Sequence, residues 1–223
     1  MATGQSLLDL MELCNQELQL QSTETDVTRG LLALNAAQDY FETLAAVRKI
    51  KGGQTTEITT ANNTETTAFP TGFLRIDALQ LLDGTGGNVK ADIWRVQRTG
   101  GHAAGRGVPW VFTTYSGTGA PQAYWTQGSN IYWAPKPNGT YYVRVYGFQR
   151  ASDITVGGTF AYDDAVMLPL ATFATRILAI GVGDPITDVG ALANETFKAV
   201  LDALEEFNRD GGNDLRYEHS HTE

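Results

Sequence analysis

The residues with the most reactive side chains are three histidines and one cysteine: His102, His219, His221 and Cys14. A structural zinc site needs about four Cys or His ligands, and a catalytic nucleophile needs a base held beside it. No serine nucleophile motif accompanies the histidines. Cys14 falls on the apolar stripe of a predicted helix, where we expect a buried small hydrophobe. These residues predict neither a metal site nor a catalytic site.

Carboxylate pairs and glycine-rich stretches are the other candidates for chemistry. Asp163-Asp164 and Glu205-Glu206 are explained by a helix start and a solvated helix face. The stretch "DGTGGN" (83–88) lacks the Lys-Ser/Thr of a P-loop, and "TGGHAAGRG" (99–107) lacks the glycine spacing of a dinucleotide-binding turn. We therefore predict no cofactor, and we predict that the chain is not an enzyme.

The second of these stretches is a candidate contact region. Arg98, His102 and Arg106 place local positive charge on a predicted loop, although the chain of 223 residues has a net charge of −9 and a pI near 4.8. An acidic protein repels phosphate, so we expect no specific binding of DNA and no capture by an anionic membrane. These three residues are predicted partner contacts.

The elements that must position these residues begin with two helices. Apolar residues recur at helical spacing from Leu7 to Leu18, with Ser6 as the expected cap. A second helix is capped by Thr23 and continues to Gly52-Gly53. Two further helices follow residue 160. One is expected to start near Pro169 and to be a buried core helix, and the other ends at Gly211-Gly212.

Residues 54–150 are rich in Thr, Val, Ile, Tyr and Trp and predict about seven strands. We expect turns at 83–88 and at 128–130. The Asn138-Gly139 pair, flanked by strand formers, is the strongest hairpin signal in the chain.

The chain therefore predicts an α+β fold, with a helical bundle built from N- and C-terminal helices and an inserted antiparallel β domain, sandwich- or barrel-like. The expected boundaries are 1–53 and 160–210 for the bundle, 54–159 for the β domain and 211–223 for a flexible tail. The single cysteine excludes an internal disulfide. The N-terminus lacks the cationic region of a signal peptide.

The tail is a second candidate contact region. Leu215, Arg216 and Tyr217 suit docking as an extended strand on a partner's edge. A tail without a function is the alternative.

The aromatic strands within 124–148 allow two interpretations. Exposed Tyr and Trp faces would stack on sugars and form a carbohydrate platform. Alternatively, the aromatic residues pack into the core and against a neighbouring layer, and the strands are a wall. We favour the wall, because a free-standing lectin has no need of four strongly apolar helices.

Three stretches together resemble a known family. They are "TTAFPTGFLRIDAL" (66–79), "PQAYWTQGSNIYWAPKPNGTYYVRVYGFQRASDI" (121–154) and "FAYDDAVMLPLATFATRILAIGVGD" (160–184). Their order is similar to that in the head-to-tail adaptor proteins of tailed bacteriophages, also called gatekeeper or tail tubular proteins. The resemblance covers most of residues 20–207.

The resemblance implies a virion structural protein at the head–tail junction, made in the host cytoplasm. It implies a homo-oligomeric ring, expected to be a dodecamer, that lies below the portal protein and lines the DNA channel. Its partners would be the portal and a downstream tail or nozzle protein, and DNA would pass without specific binding. The alternative function is a carbohydrate- or host-binding β-module of a phage tail.

Overall fold

The computed structural model describes residues 2–16, 18–21, 23–50, 54–96, 117–180 and 189–209. The helices within these ranges are α1 (Gly4–Cys14), α2 (Glu24–Val47), α3 (Asp164–Ile180) and α4 (Val189–Arg209). The strands are β1 (Gln54–Thr59), β2 (Thr66–Ala68), β3 (Phe73–Leu82), β4 (Val89–Arg95), β5 (Thr118–Gly119), β6 (Ala123–Gln127), β7 (Asn130–Ala134), β8 (Lys136–Pro137) and β9 (Tyr142–Gln149).

The chain divides into two compact units. Residues 54–149 form the β unit, which holds all nine of these strands, and the residues before and after it form the helical unit. The predicted α+β class, with the β region between helices, is confirmed.

The helix starts follow local capping chemistry. In α1 the cap is Thr3, not the predicted Ser6: the Ser6 amide donates to Thr3 Oγ1 at 3.3 Å, and Ser6 Oγ faces the Thr3 amide at 3.5 Å. This reciprocal capping box places Ser6 inside the helix. In α2 the predicted cap is confirmed, because Thr23 Oγ1 accepts the Asp26 amide at 3.2 Å.

Helices α2 and α3 differ from the prediction at one end each. Helix α2 ends at Val47, before the predicted glycine stop, and Lys49 then adopts a positive φ of 59°. Helix α3 begins at Asp164, five residues before Pro169, because the Asp163 carboxylate accepts the Ala165 amide at 2.9 Å and caps the first turn. Pro169 therefore lies inside the helix.

The helical unit is organised around α3, which packs against α1, α2 and α4. Its buried face includes Val166, Leu170 and Phe173, so the predicted core helix is confirmed. No helix in the described ranges is long and apolar enough to cross a bilayer. Aromatic contacts join the helices: Phe173 and Phe197 pack edge-to-face with ring centroids 5.2 Å apart, and Phe41 and Phe197 pack in a tilted arrangement with centroids 5.4 Å apart.

The β unit is built on a curled, mixed seven-stranded sheet with the order β1-β9-β3-β4-β6-β7-β2. Its neighbouring strands are antiparallel, except that β4 and β6 are parallel and pair only through Trp94–Ala123 and Arg95–Tyr124. The expected wholly antiparallel arrangement thus fails at this pair. Strands β5 and β8 form a separate parallel pair.

Two of the three predicted turns are confirmed. Residues 83–88 join the antiparallel strands β3 and β4, and Gly128-Ser129 joins β6 and β7 with a positive φ at Gly128. The Asn138-Gly139 hairpin is wrong: β7 pairs with β6 and β2, whereas β9 pairs with β1 and β3. Long-range pairing overrides the local turn signal here.

The core of the β unit contains aromatic residues from the strands within 124–148. Tyr124, Trp125 and Trp133 are buried, and Trp133 Nε1 donates to Thr67 Oγ1 at 2.8 Å. Trp125 stacks on Tyr132 with ring centroids 5.2 Å apart. Because the rings of Tyr124, Trp125 and Trp133 are packed inside, these three side chains are not exposed for stacking on a sugar.

Tyr124 supplies a test of this packing. Its hydroxyl is buried and has no hydrogen-bond partner among the described residues, and burial raises the pKa of Tyr124 to about 12. The unfolded chain ionises near pH 10, so the stability linked to this group is intact below pH 10 and is lost as the pH rises toward 12. The free energy of unfolding should fall by about 2–3 kcal/mol over this pH range.

We expect Tyr124→Phe to be neutral or slightly stabilising at pH 7 and to abolish most of this alkaline loss. Urea titrations at pH 7 and at several alkaline pH values measure the free energy of unfolding of the parent and of the variant. The half-buried Tyr142→Phe is the control. A Tyr124→Phe variant that loses stability with pH as steeply as the parent would contradict the assignment.

Candidate functional site

The residues predicted as partner contacts are Arg98, His102, Arg106, Leu215, Arg216 and Tyr217, and all six lie outside the described residues. The same holds for His219 and His221. Cys14 is described, and the prediction for it is wrong: it is exposed at the C-terminal end of α1, with Sγ 3.8 Å from Thr172 Oγ1. No group of His, Cys, Asp or Glu side chains among the described residues is arranged to hold a metal ion.

One face of α2 forms hydrogen bonds with residues 151–154, which follow the β unit and precede α3 in the chain. Asn35 Nδ2 donates to the Ile154 carbonyl at 3.2 Å and its Oδ1 accepts the Ile154 amide at 2.6 Å. One turn along, Gln38 donates to the Ser152 carbonyl at 3.2 Å. Because Asn35, Gln38 and Glu42 share a helix face, they form a polar clamp that satisfies backbone groups of residues 151–154.

Glu42 is the most buried member of this clamp, with no exposed surface. Its Oε1 accepts the Ala151 amide at 2.8 Å and the Tyr162 hydroxyl, while Arg150 Nε lies 3.7 Å from Oε2. A buried carboxylate is tolerated only when donors surround it. The sequence analysis missed this residue, although its position among apolar helical positions was the available signal.

A second polar constellation holds the β3–β4 turn in the β unit. Glu57 on β1 accepts the Gly86 amide at 2.8 Å and Arg144 Nη2 at 3.1 Å. The Gly86 amide and the Arg144 guanidinium lower the pKa of Glu57 below its usual range. These groups fix a surface turn and are not arranged for catalysis.

Helix α2 also carries a partly exposed stripe, within which the Tyr40 ring packs edge-to-face on the buried Phe173, with centroids 5.4 Å apart. The stripe consists of Leu32, Ala36, Tyr40, Thr43 and Val47, which fall within an arc of about 80° at 3.6 residues per turn and extend about 22 Å along the axis. Leu32 is 65% exposed and Val47 is 72% exposed. None of the five side chains is charged. Leu32 and Val47 are thus exposed apolar side chains at the two ends of an uncharged stripe.

One large aliphatic side chain on α1 and one on α3 are also exposed. Leu13 is 73% exposed and Leu168 is 56% exposed. Helices α1 and α3 meet nearby, where Cys14 Sγ lies 3.8 Å from Thr172 Oγ1. Large aliphatic side chains at such exposure are typical of surfaces that contact another protein when they are clustered.

Charge is divided unevenly between the two units. Residues 54–149 contain 7 Lys/Arg and 5 Asp/Glu, whereas the remainder of the chain contains 9 Lys/Arg and 20 Asp/Glu. The acidity predicted to repel DNA therefore belongs to the helical unit. The β unit is slightly basic, and Arg98 and Arg106 contribute to its charge.

The described residues thus define an α+β protein with buried polar clamps, exposed apolar side chains on its helices and no constellation suited to catalysis. The family model of the SU10 adaptor protein matches residues 5–216. The chain belongs to the SU10 adaptor protein family, and it is a phage adaptor-type structural protein and a component of the virion. No curated protein matches the chain significantly.

Proposed function

We propose that the chain is a head-to-tail connector adaptor, which forms a ring below the portal, links the portal to the tail and lines the DNA channel. The observation that carries the proposal is the adaptor-family match, which spans both the helical unit and the β unit. The exposed apolar surfaces of the helical unit support it, because a structural adaptor needs surfaces that other subunits cover.

The partners follow from this role. The helical unit is assigned to the portal and to neighbouring subunits, and the β unit to the downstream tail or nozzle protein. In the proposed assembly, Leu215, Arg216 and Tyr217 act as a hook on the portal or on a neighbour, and Arg98, His102 and Arg106 contact the tail side. The proposed position is the head–tail junction of the virion.

Co-assembly with the portal protein of the same phage tests the proposal. Mixing intact portal rings with the purified chain should give a portal with an added ring of density in negative-stain images. The matched control is the same chain unfolded and added under identical conditions. Intact portals that never acquire this density would contradict the proposal.

We also expect the protein to leave DNA unbound at physiological salt. With a net charge of −9, the chain as a whole repels the phosphate backbone, although the β unit is slightly basic. Fluorescence anisotropy with a labelled duplex measures the affinity of the protein for DNA. An excess of unlabelled acidic polymer is the control for weak contacts through Arg98 and Arg106. Tight binding that weakens steeply with salt would contradict a channel that lets DNA pass.

A further inference from the structure

The β unit has an outward sheet face that its core does not use. On β4 the core residue Ile93 is 4% exposed, whereas the next residue, Trp94, is 64% exposed. Successive side chains of a strand point to opposite faces, so Trp94 lies on the face away from the core. On β3, Ala78 is exposed and its neighbour Leu79 is buried in the core. Trp94 and Ala78 therefore share the outward face.

One cross-strand row on this face is aromatic. Ala78 of β3 pairs with Tyr146 of β9. The β3–β4 register runs through Leu79 and Ile93, and its next step places Trp94 opposite Ala78. Neighbouring strands lie about 4.8 Å apart, so the backbones of Trp94 and Tyr146 are about 10 Å apart. The row forms a shallow aromatic slot, with the methyl group of Ala78 as its floor and one aromatic side chain on each side.

The next row along the strands is polar. It consists of Asp92, Gln80, Arg144 and Glu57. Gln80 Nε2 donates to Asp92 Oδ1 at 2.9 Å. Arg144 Nη2 donates to Glu57 Oε1 at 3.1 Å, and the hydrogen bonds of Arg144 to Glu57 and to the Tyr146 side chain raise the pKa of Arg144. Planar amide, carboxylate and guanidinium groups therefore line one side of the aromatic slot.

This combination matches the chemistry of a sugar. A pyranose ring with equatorial hydroxyls has apolar C–H faces, which stack on aromatic rings, and a rim of hydroxyls, which hydrogen-bond to planar polar groups. Trp94 and Tyr146 offer the aromatic surface, and the Asp92 carboxylate offers an acceptor at the rim. Gln80 Oε1 is covered and has no hydrogen-bond partner among the described residues, so it gains one if the amide turns toward a hydroxyl on the face.

The charges around the slot do not favour an anionic ligand such as nucleic acid. The polar row holds two carboxylates and one guanidinium, and the exposed Lys90 beyond it brings these charges into balance. At the other end of the slot, Arg75 Nε lies 2.6 Å from Asp77 Oδ1. Arg95 donates to the Ile76 carbonyl at 3.3 Å. The face therefore has no concentrated positive charge for phosphate.

The size of the slot favours a small ligand over a protein surface. A Trp or Tyr side chain buries about 150–250 Å². Two such rings fall short of the about 800 Å² that a stable protein contact buries on each partner. The ligand that fits best is therefore small, uncharged and rich in hydroxyls.

We propose that the aromatic slot between Trp94 and Tyr146 binds a gluco-configured pyranose unit of an uncharged oligosaccharide, with Ala78 beneath the ring and the polar row along its rim. This binding is a second function of the β unit, and it does not depend on where the protein lies in the virion. The site differs from a platform built on Trp125 and Trp133, which are buried in the core.

Calorimetric titration of the full chain with cellohexaose, maltohexaose and chitohexaose tests the proposal. We expect saturable binding of at least one of these linear oligosaccharides. Trp94→Ala removes one stacking surface, and Ala78→Leu fills the slot without removing an aromatic or polar group. Each substitution should weaken binding about tenfold or more. Trp94→Phe keeps an aromatic ring and should retain most of the affinity.

Val89→Ala is the matched control. Val89 is 46% exposed on the same strand as Trp94 and lies five residues, or about 17 Å, away from it. This variant should bind the oligosaccharide as tightly as the parent. Far-ultraviolet circular dichroism checks that each variant keeps the parent fold.

Three results would overturn the inference. The first is the absence of binding to all three oligosaccharides up to about 10 mM. The second is binding that survives both Trp94→Ala and Ala78→Leu, because the sugar would then lie elsewhere. The third is a complex with a tail protein that Trp94→Ala disrupts while no sugar binds, since the face would then be a protein interface. The proposed adaptor function stands or falls separately, by co-assembly with the portal.

Discussion

Replacing Glu42 with alanine is expected to destabilise the helical unit by about 3–5 kcal/mol. The substitution leaves the buried Ala151 amide and Tyr162 hydroxyl without their acceptor, and it opens a cavity beside α2. Each orphaned donor costs about 1–3 kcal/mol. Denaturant unfolding followed by far-ultraviolet circular dichroism measures the effect.

Two variants separate this effect from general damage to α2. Glu42→Gln keeps one acceptor oxygen and should lose less stability than Glu42→Ala. Asp39→Ala removes a half-exposed partner of Arg150 and should cost no more than about 1 kcal/mol. If Glu42→Ala proved no more harmful than Asp39→Ala, the clamp would not stabilise residues 151–154.

The second large effect is expected at Gly147, in the middle of the β sheet. Gly147 on β9 pairs with Gln54 of β1 and Ile76 of β3. A Cβ atom there would overlap the Arg75 carbonyl oxygen and approach Phe73 Cδ1 to 3.0 Å. Because a backbone oxygen cannot move without breaking the β3–β9 pairing, we expect Gly147→Ala to destabilise the β unit by about 2–4 kcal/mol.

Gly139→Ala is the matched control, since a Cβ atom at this position meets no atom within 4 Å. It should leave stability within about 0.5 kcal/mol of the parent. Tryptophan fluorescence reports unfolding of the β unit, because Trp125 and Trp133 are buried there. Equal stability of the two alanine variants would contradict the register of β3 against β9.

Features encoded by neighbouring residues could be predicted from the sequence. Thr23 caps α2 because its side chain reaches an amide three residues on, and the Gly128-Ser129 turn depends on one glycine with positive φ. The α+β order also follows from the change in hydrophobic period along the chain.

Features set by distant residues could not be predicted in this way. The Asn138-Gly139 signal was strong, yet β9 pairs with strands 50 or more residues earlier in the chain, and the turn joins strands that are not neighbours. The position of Glu42 among apolar helical positions does not identify Ala151 and Tyr162 as its hydrogen-bond donors. Periodicity places apolar residues on α2, but it does not reveal that Leu32 and Val47 stay exposed.

The position of the protein in the virion is the central claim, and electron cryomicroscopy of the head–tail junction tests it most directly. A reconstruction of virions of the phage that encodes the chain should show a ring directly below the portal. Each subunit of that ring should fit α1–α4 and the seven-stranded sheet, and the ring should surround the DNA channel. Finding this fold elsewhere in the tail, as at a host-binding tip, with a different protein below the portal, would contradict the account.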